Sequence, residues 1–427
     1  DPYADPMPSQ APSALLIANP GPLDSQVVVT TAMSGTETSQ SLLVPAESGA
    51  TVALASGGLD GSGVFSDHFR VSSSAPISVV QINPASPAAF ASDSSMLLPV
   101  SSLGTEYLVS TRPSLPTFTA PGFDFEPFLG YFSVTAAKPG TTTVTVTISA
   151  STEPLEGYPS GLTPGTAYEF ELAQYETLQI QGNGHDMPNQ HDLSGSFVVA
   201  TQPVAVFGGH EEAAVCEDSE TSCCADHLEE QLLPRLWLGA SYVCAGSPLR
   251  SATDKDLWQV ISMTHGTTIV TNPPVPGLSG VTLGAGEVAF GYHQGSFELT
   301  ATHLVMVMQF LQGGECAGAD VGDPSQVHGL PTSQYGVEVA VMLSSEFTEH
   351  TLVVVRPAGA TVWLDGSVVA DAQFEPVASG SFEVGYLEVA SGYHGLKGSS
   401  PVGVWVYGDV AFTGYGHLAG FRAQLSN

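Results

Sequence analysis

LPVSSLGTEY at residues 98–107 and LPRLWLGASY at residues 233–242 share one spacing, Leu-Pro-x-x-x-Leu-Gly-x-x-Tyr. A looser third copy, LPTSQYGVEV, runs from Leu330 to Val339. Ahead of each copy lies a strand–break–strand element: FRVSSSAPISVVQI (69–82), SFVVATQPVAVFGG (196–209) and SFELTATHLVMVMQF (296–310). A fourth such element, HGLKGSSPVGVWVYG, follows at 394–408. Runs of β-branched and aromatic residues bounded by Gly, Pro, Asn or Ser read as strands. Recurrence of the whole set reads as an internal repeat. Four antiparallel units are expected, at about 14–100, 101–225, 226–325 and 326–427, behind a flexible tail at 1–13. Leu103, Leu238 and Tyr335 are expected in matching buried positions. Gly104, Gly239 and Gly336 are expected at turns where the backbone needs room.

The fold class is therefore all-β. DHLEEQLLPRLW (226–237) is the one stretch with helical character, and Pro234 limits it to a turn or two. The first unit lacks the Leu-Pro-x-x-x-Leu-Gly strand that leads into the others, while GYGHLAGFRAQLSN (414–427) offers a spare. A missing strand at one end and a spare at the other predict ring closure as in a β-propeller, which removes exposed edges. The alternative is a row of packed tandem β-sandwiches.

Charge bounds the partners. Forty-two acidic residues face nine Lys plus Arg, a net charge of -33. That balance excludes nucleic acid and anionic membrane surfaces as partners. It suits a salty or calcium-rich exterior. The sequence has no apolar run long enough for a membrane span. The chain opens on Asp1, which reads as the start of a mature secreted chain. The five cysteines, Cys216, Cys223, Cys224, Cys244 and Cys316, fall within one stretch. Cys216 is expected to pair with Cys223 or Cys224, and Cys244 with Cys316.

PISVVQIN (76–83), DSSMLLP (93–99), LGTEY (103–107), DLSGS (192–196), QPVAVFGGH (202–210), CADHLEEQLLP (224–234), the stretch from Pro357 to Gly366, and VGVWVYGDVAFTGYGHLAG (402–420) come in an order and spacing that resemble the IgGFc-binding protein amino-terminal domain family. The resemblance runs from about residue 15 to residue 421. It implies a secreted or cell-surface protein, here of bacterial character, whose relatives include proteins reported to hold antibody Fc. The family places a cysteine soon after the Gly-His and another just before the Asp-His. Here Glu211 and Glu212 follow His210, Cys216 comes later, and Ala225 separates Cys224 from Asp226.

The segment from His210 to Glu230 is the candidate site. His210, Asp226, His227, Glu229 and Glu230 bring imidazoles and carboxylates together at a density that suits a divalent cation, with calcium the candidate. The plainer alternative is a disulfide-pinned acidic loop with His227 packed locally. Two weaker acidic stretches carry His185, Asp186, His191 and Asp192, and then Asp320, Asp323 and His328. Tyr393, Trp405, Tyr407, Phe412 and Tyr415 are aromatic enough to read carbohydrate, or to pack as core. No HExxH, EF-hand loop, G-x-S-x-G elbow or glycine-rich phosphate loop is present. The expected function is a non-catalytic extracellular adhesion or matrix-interaction module whose partner is an extracellular protein or glycan. The alternative is a self-associating subunit of a cation-bridged extracellular layer or filament.

Overall fold

The computed structural model describes residues 12–422 apart from 55–57, 88–90, 116–117, 121–122, 126, 185–190 and 218–224. The fold is all-β, made of curled antiparallel sheets. Among the described residues the α-helix is a single turn, Gly314–Ala317.

Three long strands, Phe197–Ala213, Phe297–Leu311 and Gly392–Val410, carry the architecture. Each changes partners half-way along. In its first half, each is flanked on one edge by a strand that opens on the Gly of the quoted motif: Gly104–Leu108, Gly239–Cys244 and Gly336–Leu343. These are called covering strands below. The opposite edge takes Thr142–Thr147, Thr267–Asn272 and Val362–Leu364. In its second half, each long strand pairs with Gly130–Ala136, Asp256–Ser262 and Glu349–Pro357. There it also pairs with a short inner strand: Asp226–Gln231, Gln326–His328 and Thr413–Leu418.

The first part of the chain follows the same wiring with its long strand broken about Pro76 into His68–Ser73 and Ser78–Asn83. The first piece pairs with Ser25–Met33, and the second with Ala14–Asn19 and the inner strand Asp93–Met96. The four inner strands close a circuit. Asp93–Met96 packs against Asp226–Gln231, that against Gln326–His328, that against Thr413–Leu418, and the last back against Asp93–Met96.

Local sequence explains the strands. In Gly130–Ala136 and Thr142–Thr147, apolar residues alternate with Ser and Thr, and burial alternates with them. Full burial of Phe132 and Val134 in the main core contributes roughly 1.5–3 kcal/mol each. Residues Asp226–Gln231 form a strand rather than the helical turn that DHLEEQ predicts. Backbone pairing with Phe207–Ala213 overrides a helix propensity that is only a weak prior. A 3-10 turn, Arg235–Trp237, follows Pro234.

The recurrent motif has a steric logic. Leu103, Leu238 and Tyr335 are all buried. A side chain at Gly104 would lie 2.5 Å from Pro234 Cβ, and one at Gly239 would meet Pro331. The proline of each following copy thus sits flat on the glycine of the copy before it. Tyr107 and Tyr242 then repeat one pair of bonds. Each hydroxyl accepts the glycine N–H, at 2.9 and 3.0 Å, and donates to a carbonyl of the long strand, Val204 or Val305, at 2.6 Å. All three glycines are the first residues of covering strands, one step past the turns where the sequence expects them.

Candidate functional site

The inner circuit is where the acidic candidates gather. Asp93 is fully buried and its carboxylate collects three backbone N–H groups: Ser94 at 2.9 Å, Glu229 at 3.1 Å and Gln326 at 3.0 Å. One side chain thereby joins three inner strands. Its neighbour Ser95 donates to Glu230 Oε1 at 3.1 Å and accepts the Gln231 N–H at 2.7 Å. Ser94 meets His417 Nδ1 at 2.8 Å, which ties in the fourth inner strand.

The structure distributes the five cation candidates rather than converging them. His210 is buried, with Nδ1 accepting the Glu212 N–H at 3.1 Å and Nε2 facing the Pro113 carbonyl at 3.0 Å. Nδ1 is thus the acceptor, Nε2 carries the proton, and both nitrogens are occupied by backbone. Burial lowers its pKa to about 3. Glu229 holds Gln81 Nε2 at 3.0 and 3.1 Å and Asn83 Nδ2 at 3.4 Å. His227 lies 3.6 Å from Glu229 and stacks on Tyr131. Strand alternation sends Glu230 to the opposite face, where burial raises its pKa well above the usual range. Asp226 is also fully buried and raised, by burial first and then by the nearby charges of Asp323 and Glu212. Asp323 and Glu212 are each pushed to about 8, chiefly by burial. Among the described residues no group of three or more His, Cys, Asp or Glu side chains is arranged to hold a metal ion.

The sequence alone does not single out Asp93 for this belt. Glu212 lies within the candidate segment and Asp323 in a separate acidic stretch, and only the fold brings Asp323 and Asp93 to them. His185 and Asp186 lie outside the described residues, whereas Asp192 bonds Thr111 Oγ1 at 2.8 Å and the Ser194 N–H at 2.8 Å. Three of the five aromatic candidates are core. Trp405 Nε1 donates to the His328 carbonyl, Tyr407 to Gln309 Oε1, and Tyr415 to His350 Nδ1. Phe412 is exposed and Tyr393 half-buried.

The cysteine pairing differs from expectation. Cys216 pairs with Cys316, one hundred residues on. The end of the long strand Phe197–Ala213 and the helical turn after the next long strand lie side by side, as the Gly313 N–H to Val215 carbonyl bond shows. Cys244 is free and buried among Trp258 and Phe297, so it has no route to Cys316. Cys223 and Cys224 lie outside the described residues.

A cleft of about 450 Å³ opens between the covering strand Gly239–Cys244 and the sheet of Glu349–Pro357 and Gly392–Val410, lined by Ser241, Thr332, Tyr335, Pro357, Phe382 and Pro401 among others. Among the described residues no carboxylate, imidazole or amine lines it.

These features define a disulfide-linked all-β scaffold organised about a buried acidic belt. The family model described as IgGFc binding protein matches residues 93–408, and the chain belongs to that family. The human IgGFc-binding protein is 33% identical over 184 residues, which are 43% of this chain and 3% of that protein. The chain thus matches only a small part of its much longer relative. A solved structure titled as a tetra-tandem repeat in the extending region of a large adhesion protein covers 97% of this chain and 95% of its own, at 11% identity and a TM-score of 0.10. At that score it carries no argument.

Proposed function

We propose that the chain is an extracellular adhesion or matrix-interaction module that binds a protein partner without catalysis. The observation that carries the reading is the state of the belt. His210, Asp226, Glu229 and Glu230 are buried; His210 is bonded to backbone through both nitrogens, Glu229 to the Gln81 and Asn83 amides and Glu230 to the Ser95 hydroxyl. A general acid or base must reach the substrate proton it moves. The cleft beside Phe382 instead offers neutral hydroxyls, prolines and aromatics, a surface suited to contact rather than chemistry. The disulfide fits an oxidising, extracellular compartment, and family membership agrees. Because the human relative is named for IgG Fc, Fc is the first partner to try.

The test immobilises the purified chain and probes it with IgG Fc and an array of extracellular glycoproteins and glycans. Saturable binding to a protein, weakened by Phe382→Ser, is expected. No saturable binding across the array overturns the reading. Ordered polymers on adding calcium would replace it with the cation-bridged layer.

A further inference from the structure

Each of the three long strands carries a covering strand along its first half, and the broken strand of the first part of the chain does not. Among the described residues nothing pairs with the second edge of His68–Ser73. Aligning Pro76 with Pro203 matches Val71 to Val198 and Ile77 to Val204. Val198, Leu299 and Leu396 lie opposite Tyr107, Tyr242 and Val339 of the covering strands, and all three are buried. Val204, Val305 and Val402 lie opposite the three glycines and are also buried. Val71 and Ile77 are only half-buried. The proline of the motif tells the same story independently. Pro234 and Pro331 are buried against Gly104 and Gly239, whereas Pro99, whose matching glycine is absent, is exposed.

We infer that the open edge of His68–Ser73 is a docking slot for an extended strand of Leu-Gly-x-Glu-Tyr type supplied by another polypeptide. Addition of a strand to a free edge gains main-chain hydrogen bonds, and side-chain pockets set the choice of partner. The filled slots define the pockets. A glycine lets Pro99 close down, and a tyrosine covers Val71 and bonds the carbonyl after Pro76. Charge supports an acidic residue between them. Two of the three covering strands carry Glu there, and each Glu meets a base, Glu106 with Arg235 and Glu338 with Lys397 at 2.8 Å. The open strand carries Arg70, half-exposed, on the same face as Ser72, which answers to the residue opposite Glu106; Arg70 already bonds the Tyr175 hydroxyl at 3.2 Å and lies 3.8 Å from Glu37, so an incoming Glu would have to join or displace those partners. A diagonal neighbour is within reach of such long side chains. Residues 1–11 are poor occupants, because Pro2, Pro6 and Pro8 cannot donate to a ladder. The inference rests on strand pairing and goes beyond the binding reading above.

The test titrates the full chain with a synthetic peptide of its own filled-slot sequence, Leu103–Val109, and follows amide hydrogen exchange. At saturation, exchange across residues 68–73 should slow by about tenfold or more. The same peptide with Tyr107→Ala should bind about tenfold more weakly, having lost the bridging hydroxyl. Val71→Asp in the protein should abolish binding, whereas Val270→Asp, an exposed change on another sheet, should not. Exchange protection elsewhere in the protein checks that Val71→Asp still folds. Absence of protection at 68–73 overturns the inference. So does protection that appears only after residues 419–427 are deleted, because the chain's own end then fills the slot. Retained binding to an extracellular protein alongside either failure would remove the slot and leave the adhesion reading standing.

Discussion

The Asp93 carboxylate accepts the backbone N–H of Gln326 at 3.0 Å, across 233 residues of sequence, and with the same oxygen accepts that of Glu229 at 3.1 Å. A single buried side chain therefore locks the first inner strand to the second and third. Asp93→Ala would leave these donors buried and unpaired, each at about 1–3 kcal/mol. A loss of roughly 3–5 kcal/mol is expected by denaturant unfolding, large for a single substitution. Asp93→Asn keeps one acceptor oxygen but turns an amide NH2 toward the Ser94 N–H, so its loss should fall between Ala and wild type. Equal losses for Ala and Asn would show that the hydrogen bonds are not what holds the circuit.

Tyr107 and Tyr242 make the same two bonds in different sheets. Tyr107→Phe and Tyr242→Phe each remove a hydroxyl that satisfies both a glycine N–H and a strand carbonyl. Each should cost about 1–3 kcal/mol. The double variant should lose the sum, because the two sites share no partner. A marked departure from additivity would mean that the sheets are mechanically coupled through the motif.

Much of this was legible in the sequence, because the motif is a chain of steric requirements. Gly104 must be glycine to admit Pro234, and Tyr107 must be tyrosine to reach Val204, so the spacing survives wherever the geometry does. Strand class followed from the alternation in residues such as Thr142–Thr147. The belt was legible as a segment but not as a site. His210, Asp226, His227, Glu229 and Glu230 stand close in sequence, yet Gln81, Asn83, Asp93 and Ser95, which engage or border them, come from another sheet. DHLEEQ reads as a helix surface because nothing local reveals that it is buried and paired. The cysteine pairing was hidden for the same reason, since sequence proximity favours a short loop.

The Cys216–Cys316 bridge closes a long loop, with a separation of 100 residues. In the chain-entropy picture such a loop stabilises by about 4–5 kcal/mol. Cys216→Ser and Cys316→Ser should lower the melting temperature equally, and the double variant should be no worse than either single one. Non-reducing peptide mapping should recover the linked peptides. Cys244 should resist alkylation until the protein unfolds, because it is buried in an apolar cluster that raises its thiol pKa. Ready labelling of Cys244 in the native protein would contradict this placement.

The buried carboxyls set the pH dependence. Burial pushes Glu212 and Asp323 to about 8 in the folded chain and raises Asp226 as well; the charge of Asp323 adds to the shift of Glu212 and Asp226, whereas Arg250 opposes that of Asp323. In the unfolded chain such groups titrate at about 4. The folded state therefore binds more protons between these values, and stability falls as pH rises from about 4 through about 8. Three histidines act in the opposite sense. His210 and His417 are lowered to about 3 and His328 to about 4, all by burial. Their contribution is present above the unfolded value of about 6.5 and is lost as pH falls through the folded values. Maximum stability is thus expected near about pH 5–6, with decline on both sides. Asp226→Asn removes one carboxyl from the repelling group and should flatten the alkaline limb while leaving the acid limb unchanged. Melting temperatures measured from about pH 4 to about pH 9 on both proteins decide the matter. An alkaline limb equally steep in the variant would mean that Asp226, Glu212 and Asp323 do not share their protons as the fold arranges them.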